Sequence, residues 1–169
     1  MIILDTDVVS NLRRKKPHPS LVRWIDSIGW DELFMTVFTV MEIQIGIERA
    51  RRTDPAVADA VAQWLDGLIG AGQPQVLSFD LHAAIVYGRM HETSALRNFL
   101  TNPQESKKAK TGADLAIAAV AIVQNAVVAT NNIDDFLEIH AQFPLPGLYN
   151  PLTDTWHVPP APERKHGRN

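Results

Sequence analysis

The sequence predicts an α/β fold, with a mainly parallel central sheet flanked by helices. Short apolar or β-branched runs of strand length recur along the chain, and between them apolar residues recur at helical spacing. Strands that alternate with helices form a layered sandwich, because each helix crosses over a face of the sheet to the next parallel strand. We expect residues 1–151 to form this domain and residues 152–169 to form a polar, proline-rich tail that is partly disordered.

Local signals define the elements of the first half. Asp7 is expected to cap the first helix, and Thr39 is expected to open the third. Asp54 and Pro55 suit the N-cap and the first position of the fourth helix, since aspartate accepts hydrogen bonds from free amides and proline needs none there. In order, the predicted elements are a strand over 2–4, helices from 8 and over 21–28, a strand over 33–38, and helices from 39 and from 55.

The second half repeats the alternation. A short strand or extended lead over 76–79 precedes a helix that Asp80 caps, and "TNPQESKKAKTG" is a polar loop. The alanine-rich run "ADLAIAAVAIVQNA" predicts a helix able to lie close against a sheet, and "AVVAT" predicts the strand after it. Leu148 and Tyr149 are expected to form a last edge strand.

The composition limits the kinds of function. The chain has no cysteine, so disulfides and thiolate zinc sites are excluded, and its six histidines lack metal-ligand spacing. No apolar run approaches the roughly 18 residues that span a bilayer, and no signal peptide is visible, so we expect a cytoplasmic protein. A net charge of -3 neither selects nor excludes a nucleic-acid substrate.

Acidic residues recur where predicted strands end or helices begin. Asp5 and Asp135 follow predicted strands, whereas Glu42 and Asp114 stand in "TVME" and "TGAD", which both read Thr-x-x-acid at a helix start. In a parallel sheet with crossover helices these positions share one edge, so the four acids are candidates to converge. Both tetrapeptides fit a capping box as well as they fit a functional site. Such a cap contributes about 1 kcal/mol to the stability of the helix and requires no function.

Converging carboxylates would indicate a metal site. Crowded carboxylates repel each other unless a cation neutralises them, and an all-oxygen donor set suits Mg²⁺ or Mn²⁺. Such ions bind phosphate oxygens and activate water for attack on phosphorus. The chemistry that this interpretation predicts is hydrolysis of a phosphodiester or a phosphoester.

Four motifs carry these acids: "ILDTDVVS", "TVMEIQIG", "TGADLAIAA" and "VATNNIDDF". In this order and spacing they resemble the PIN-domain ribonucleases, and within them the toxin component of VapBC-type toxin-antitoxin pairs. The resemblance covers residues 1–151 and implies a three-layer sandwich. It also implies the residues of an acidic site, which are Asp5, Glu42, Asp114 and Asp135 as the catalytic acids, with Thr6 and Asn132 as hydrogen-bonding support.

The resemblance further implies how the site works. Asp5 and Asp114 would be the direct ligands of Mg²⁺, for which Mn²⁺ can substitute, and Glu42 and Asp135 would reach a second ion or a water. The activity implied is endoribonuclease cleavage of RNA, such as tRNA or rRNA, by a Mg²⁺-activated water. A cognate VapB-type antitoxin would block it, the toxin would be a homodimer, and no membrane would be involved.

Two other interpretations stay open. An apolar strand ending in Asp-x-Asp also resembles the haloacid-dehalogenase phosphatases, in which Asp5 would be the nucleophile. That family needs further motifs with a lysine and has no use for Glu42 and Asp114 at helix starts. The remaining alternative is a catalytically inactive PIN-like module that binds RNA or protein, against which the presence of all four acids argues.

Three features near the motifs also allow two interpretations. Asp7 stands where the family usually has a small polar residue, so it is either a helix cap or a group near the metal. Gly46 either leaves room for a substrate or permits close helix packing. Three basic groups are candidate RNA contacts or merely solvated helix ends, and they are residues 13–16, residues 49–52, and Lys107 with Lys108 and Lys110.

Overall fold

Strands and helices alternate along most of the chain. The computed structural model describes residues 1–100 and 111–162. In chain order the elements are β1 (Ile2–Leu4), α1 (Thr6–Leu12), α2 (Pro19–Ile28), β2 (Leu33–Thr36), α3 (Val37–Arg51), α4 (Pro55–Ala71), β3 (Gln75–Leu77), α5 (Leu81–Glu92), α6 (Ala113–Gln124), β4 (Val127–Ala129), α7 (Ile133–Gln142), β5 (Gly147–Asn150) and β6 (Thr155–Val158), with short 3₁₀ turns at Trp30–Glu32 and Ser94–Phe99. The predicted loop over 101–110 lies outside the described residues.

The sheet has the strand order β3-β2-β1-β4-β5-β6. All neighbouring strands are parallel except β5 and β6, so the predicted α/β class with a mainly parallel sheet is confirmed. The chain builds outward from β1 to β3 and then returns to place β4 on the other side of β1. The junction of β1 and β4 is therefore a topological switch point, where the carboxyl ends of strands leave a crevice for ligands.

Two apolar cores lie on opposite faces of the sheet. Successive residues of β1 point to opposite faces, so Ile3 belongs to the core with α5, α6 and α7, whereas Leu4 belongs to the core with α1 to α4. Helix α6 is buried almost along its whole length, because its alanines let it approach the sheet closely. The result is the three-layer arrangement that the resemblance implies.

The helices α1 and α3, which lie next to the acidic residues, begin earlier than the sequence predicts. Helix α1 starts at Thr6, so Asp5 occupies the N-cap position and the predicted capping role of Asp7 is wrong. Helix α3 starts at Val37, because Thr36 and Thr39 form a capping box in which the Thr36 side chain accepts from the Thr39 N–H. Thr39 therefore does not open the helix, and Glu42 lies in its second turn rather than its first.

The sheet extends further along the chain than predicted. Leu148 and Tyr149 belong to β5, which is an inner strand, because β6 pairs with it from the segment predicted as a tail. The Trp156 ring contacts the Tyr149 ring with centroids 4.9 Å apart, which helps to fix this edge strand. The tail from residue 163 onward lies outside the described residues. Among the helices of the described ranges, none has the length and apolar character needed to cross a bilayer.

Candidate active site

A cavity of about 770 Å³ opens at the carboxyl edge of the sheet. Its lining includes all four acids that the motifs single out: Asp5 after β1, Glu42 on α3, Asp114 on α6 and Asp135 on α7. The capping-box interpretation of Glu42 and Asp114 is wrong, since Thr36 with Thr39 caps α3 and Gly112 holds the N-cap position of α6. The fold therefore brings together four carboxylates that are far apart in sequence.

Asp5 lies at the bottom of the cavity and is only 3% exposed. Its Oδ1 accepts from the Thr6 N–H at 2.6 Å and its Oδ2 from the Thr130 hydroxyl at 2.8 Å. Sheet register explains the second contact: Leu4 pairs with Ala129, so the next residues, Asp5 and Thr130, leave their strands side by side. Both oxygens of the buried carboxylate are therefore fixed.

The surroundings of Asp5 disfavour its negative charge. Burial raises the pKa of this carboxyl well above its ordinary value of 3.8, and the charges of Asp7 and Asp114 raise it further. The hydrogen bonds from Thr130 and Thr6 act in the opposite direction without restoring the ordinary value. The site thus concentrates negative charge that only a cation or a proton can offset.

Glu42 is held at both carboxylate oxygens by hydroxyl groups. The Thr6 hydroxyl donates to Oε2 at 2.6 Å, and the Thr111 hydroxyl donates to Oε1 at 2.8 Å. Thr6 comes from the start of α1, whereas Thr111 lies two residues before α6. The glutamate of α3 is therefore linked to the two segments that carry Asp5 and Asp114.

The loop after β4 orients the fourth acid. The Asn132 side-chain amide donates to Asp135 Oδ2 at 2.9 Å, and the Asn132 backbone N–H donates to the Thr130 hydroxyl at the same distance. The Thr130 hydroxyl thus accepts from Asn132 while it donates to Asp5. One buried side chain connects the settings of Asp5 and Asp135.

Asp7 lines the same cavity from the first turn of α1. Its Oδ2 accepts from the Asn131 N–H at 2.9 Å, so it joins the start of α1 to the loop after β4 instead of capping its own helix. Desolvation raises the pKa of Asp7, and the hydrogen bond from Asn131 partly offsets that increase. Asp7 also contributes to the charge that acts on Asp5.

Sequence reasoning missed the roles of two threonines. Thr130 follows β4 as Asp5 follows β1, but only the pairing of β1 with β4, which the sequence does not display, brings the two residues side by side. Thr111 was expected only as a cap within "TGAD", yet its hydroxyl donates to Glu42. Both threonines position carboxylates, which strand and helix patterns do not reveal.

The structure places some of the candidate RNA-binding basic residues at the cavity and others away from it. Arg14 and Arg49 line it, whereas Arg51 is turned to Asp59, with Nη1 2.7 Å from Oδ1. The lysines at 107, 108 and 110 lie outside the described residues. Gly46 also lines the cavity, and a Cβ built on it would meet no atom within 4 Å, so the close-packing interpretation of this glycine is wrong.

The donor chemistry of the cavity fits Mg²⁺ or Mn²⁺. Besides the two arginines, its lining supplies carboxylate, hydroxyl and amide oxygens, which are the ligands that these hard cations prefer. Within residues 1–100 and 111–162, no three acidic or histidine side chains gather tightly enough to hold a metal by themselves. Mg²⁺ sites in proteins commonly use one or two carboxylates and several waters.

Comparisons with known proteins agree with this arrangement. The family model described as "PIN domain" matches residues 2–141. The chain is 30% identical to VapC ribonuclease Y4jK of Sinorhizobium fredii over 141 residues, which is 80% of this chain and 90% of that protein. It is 39% identical to Ribonuclease VapC14 of Mycobacterium tuberculosis over 64 residues, which is 38% of this chain and 62% of that protein.

A solved structure shows the same fold. FitAcB from Neisseria gonorrhoeae superimposes with a TM-score of 0.60 at 25% sequence identity, covering 89% of this chain and 98% of that chain. A PIN match over residues 2–141 leaves no place for the haloacid-dehalogenase interpretation of the opening motif. The chain belongs to the PIN-domain family, and within it is similar to the VapC ribonucleases, as the four motifs predict.

Proposed function

We propose that the chain is a toxin-type endoribonuclease, which hydrolyses RNA phosphodiester bonds with a Mg²⁺-activated water and is neutralised by a cognate VapB-type antitoxin. The observation that carries the proposal is the convergence of four carboxylates on one cavity, with the oxygens of Asp5 and Glu42 fixed by hydrogen bonds. Membership of the PIN family and similarity to proteins named as VapC ribonucleases support it.

Asp5 and Asp114 are the residues that would hold Mg²⁺ or Mn²⁺, and Glu42 and Asp135 would reach it, or a second ion, directly or through water. The charge of Asp114 raises the pKa of Asp5, which is the electrostatic relation expected of two carboxylates that share a cation. A cation bound there would polarise a phosphate oxygen and lower the pKa of a water.

The remaining side chains orient the groups that react. Glu42 is suited to position the attacking water or to take its proton, since each of its oxygens has a lone pair beyond the one that a threonine hydroxyl occupies. Thr130 and Thr6 hold Asp5, and Asn132 holds Asp135. Preorganised carboxylates do not have to rotate into place when the RNA arrives.

The partners follow from the VapC resemblance. A carboxyl-terminal segment of the antitoxin would cover the cavity and place a basic side chain among the acids, where it would neutralise the charge that acts on Asp5. The toxin would act as a homodimer in the cytoplasm, on a structured RNA such as tRNA or rRNA.

Cleavage of total RNA tests the proposal. We expect the wild type to cut RNA with Mg²⁺ or Mn²⁺ and to stop with EDTA, and we expect Asp114→Asn to be inactive. Asp66→Asn, an exposed substitution on α4 outside the cavity, is the matched control. Cleavage that persists in EDTA, or full activity of Asp114→Asn, would contradict the metal-dependent mechanism, and absence of any cleavage would favour the inactive binding module.

A further inference from the structure

Two arginines share the cavity with the acids. Arg14 follows the end of α1, and Arg49 lies in the last turn of α3. Both are exposed, and no ion pair within the described residues includes either of them. Arg51, two residues further along, is paired with Asp59 and Glu48. The segment after α1 and the last turn of α3 therefore present guanidinium groups at the mouth of an acidic cavity without pairing them with those acids.

One face of α3 connects the acidic part of the cavity to Arg49. Glu42, Gly46 and Arg49 are spaced four and then three residues apart, which places them on the same side of a helix. Glu42 and Arg49 are therefore separated by about 10 Å along the helix axis. Between them, Gly46 leaves open space where any other residue would project a side chain. We call Arg14, Gly46 and Arg49 the rim.

Electrostatics decides what such a rim can bind. Four carboxylates repel a polyanion, so a substrate that reaches them needs positive charge close by to offset that repulsion. Guanidinium groups bind phosphate in a bidentate manner and keep their charge at any physiological pH. Within the described ranges neither arginine has a carboxylate partner. Two such arginines beside a cavity suited to phosphodiester hydrolysis match a ligand that carries several phosphates in a row.

We infer that Arg14 and Arg49 bind phosphates of the RNA strand other than the one that is cut, and that Gly46 keeps open the passage for the backbone between them. The inference rests on the proposed function, because it assigns the part of the RNA that the rim holds. These contacts go to the backbone, so they position the strand without reading its sequence.

Binding of RNA under conditions that prevent cleavage tests the rim. The probe is a short, fluorescently labelled single-stranded RNA of mixed sequence, titrated in EDTA with the Asp114→Asn protein. We expect Arg14→Gln and Arg49→Gln each to weaken binding about threefold to tenfold and to reduce the slope of log affinity against log salt by about 0.7. Arg13→Gln and Arg52→Gln, exposed neighbours outside the cavity lining, are the matched controls and should change affinity little.

Substitution of Gly46 gives a second test, which does not change the charge of the protein. Gly46→Leu places a side chain in the passage without changing charge, so it should weaken binding while leaving the salt slope unaltered. Gly46→Ala, which adds only a Cβ in open space, should bind nearly as the parent does. Circular dichroism of each variant verifies that α3 remains folded.

Cleavage kinetics separate this inference from the proposed function. In the otherwise wild-type protein with Mg²⁺, the arginine variants should raise KM more than they lower kcat. If the wild type cuts RNA but both arginine variants bind RNA as tightly as their parent, the rim inference is wrong. If the wild type cuts no RNA, the proposed function fails whatever the arginines do.

Discussion

The floor of the cavity and its rim are built in opposite ways. The floor consists of Asp5, Glu42 and the threonines that hold them, and every oxygen of the two carboxylates accepts a hydrogen bond from within the protein. The rim consists of exposed arginines and a glycine surrounded by open space. The comparison indicates that the floor is organised before any ligand arrives, whereas the rim is left free for groups supplied from outside.

Asp5→Asn should cause the largest loss. It removes a charge from the buried end of the floor while keeping the shape of the side chain, so we expect RNA cleavage to fall by more than about 100-fold, beyond what loss of a supporting group costs. Initial cleavage rates with Mg²⁺ measure this, with Asp66→Asn as the control. Activity within a few-fold of the wild type would show that Asp5 is not needed for the reaction.

Thr130→Val should come next. Valine keeps the volume but leaves Asp5 Oδ2 and the Asn132 N–H without their shared hydroxyl. We expect cleavage to fall about 10- to 100-fold, as is typical when a group that orients a ligand is removed. Thr130→Ser retains the hydroxyl and should recover most of the activity. Equal losses in both variants would attribute the effect to packing rather than to hydrogen bonding.

The stability of the metal-free protein should depend on pH through Asp5. Its carboxyl has a pKa near 3.8 when unfolded and well above that when folded, so between these values the folded state binds a proton that the unfolded state releases. Stability should therefore fall as pH rises through this window. Urea unfolding in EDTA across the window measures the effect, and Asp5→Asn should reduce the slope without abolishing it, because the pKa of Asp7 is raised as well. A wild-type profile that rises with pH there would contradict it.

Asp7→Asn should have the smallest effect of the four. The asparagine Oδ1 can still accept from the Asn131 N–H, so we expect the variant to keep at least about a third of the wild-type cleavage rate. The substitution also removes one of the charges that act on Asp5. If Asp7→Asn is as inactive as Asp5→Asn, Asp7 acts directly at the metal and the floor includes it.

Much of this arrangement could be predicted from the sequence. Alternating strand and helix patterns determine a parallel sheet, and parallel connections bring strand ends and helix starts to one edge, which is how the four acids could be chosen. Asp114 lies in the first turn of α6, as "TGAD" predicts. These features depend on periodicity and topology, which a sequence displays directly.

The sequence-based predictions were wrong where local sequence signals allow more than one structure. Asp7 and Thr39 are both good capping residues, but Asp5 and Thr36 precede them in the chain and occupy the N-cap positions instead. The hydroxyl of Thr130 became recognisable only with the sheet register, and the open space at Gly46 only with the surrounding atoms. Strand β6 was missed because a short segment next to prolines resembles a tail. Tertiary contacts decide each of these cases.

The hydrogen bond from Thr130 to Asp5 joins residues that are 125 positions apart. A ribosome makes the chain from its amino terminus, so Asp5 emerges long before Thr130 and Asp135 exist. Until then the nascent chain has no complete cavity, and Asp5 lacks the hydroxyl that holds it. Premature termination upstream of β4 would therefore release fragments without this site. The order of synthesis itself delays the appearance of an activity directed at RNA until most of the chain has been made.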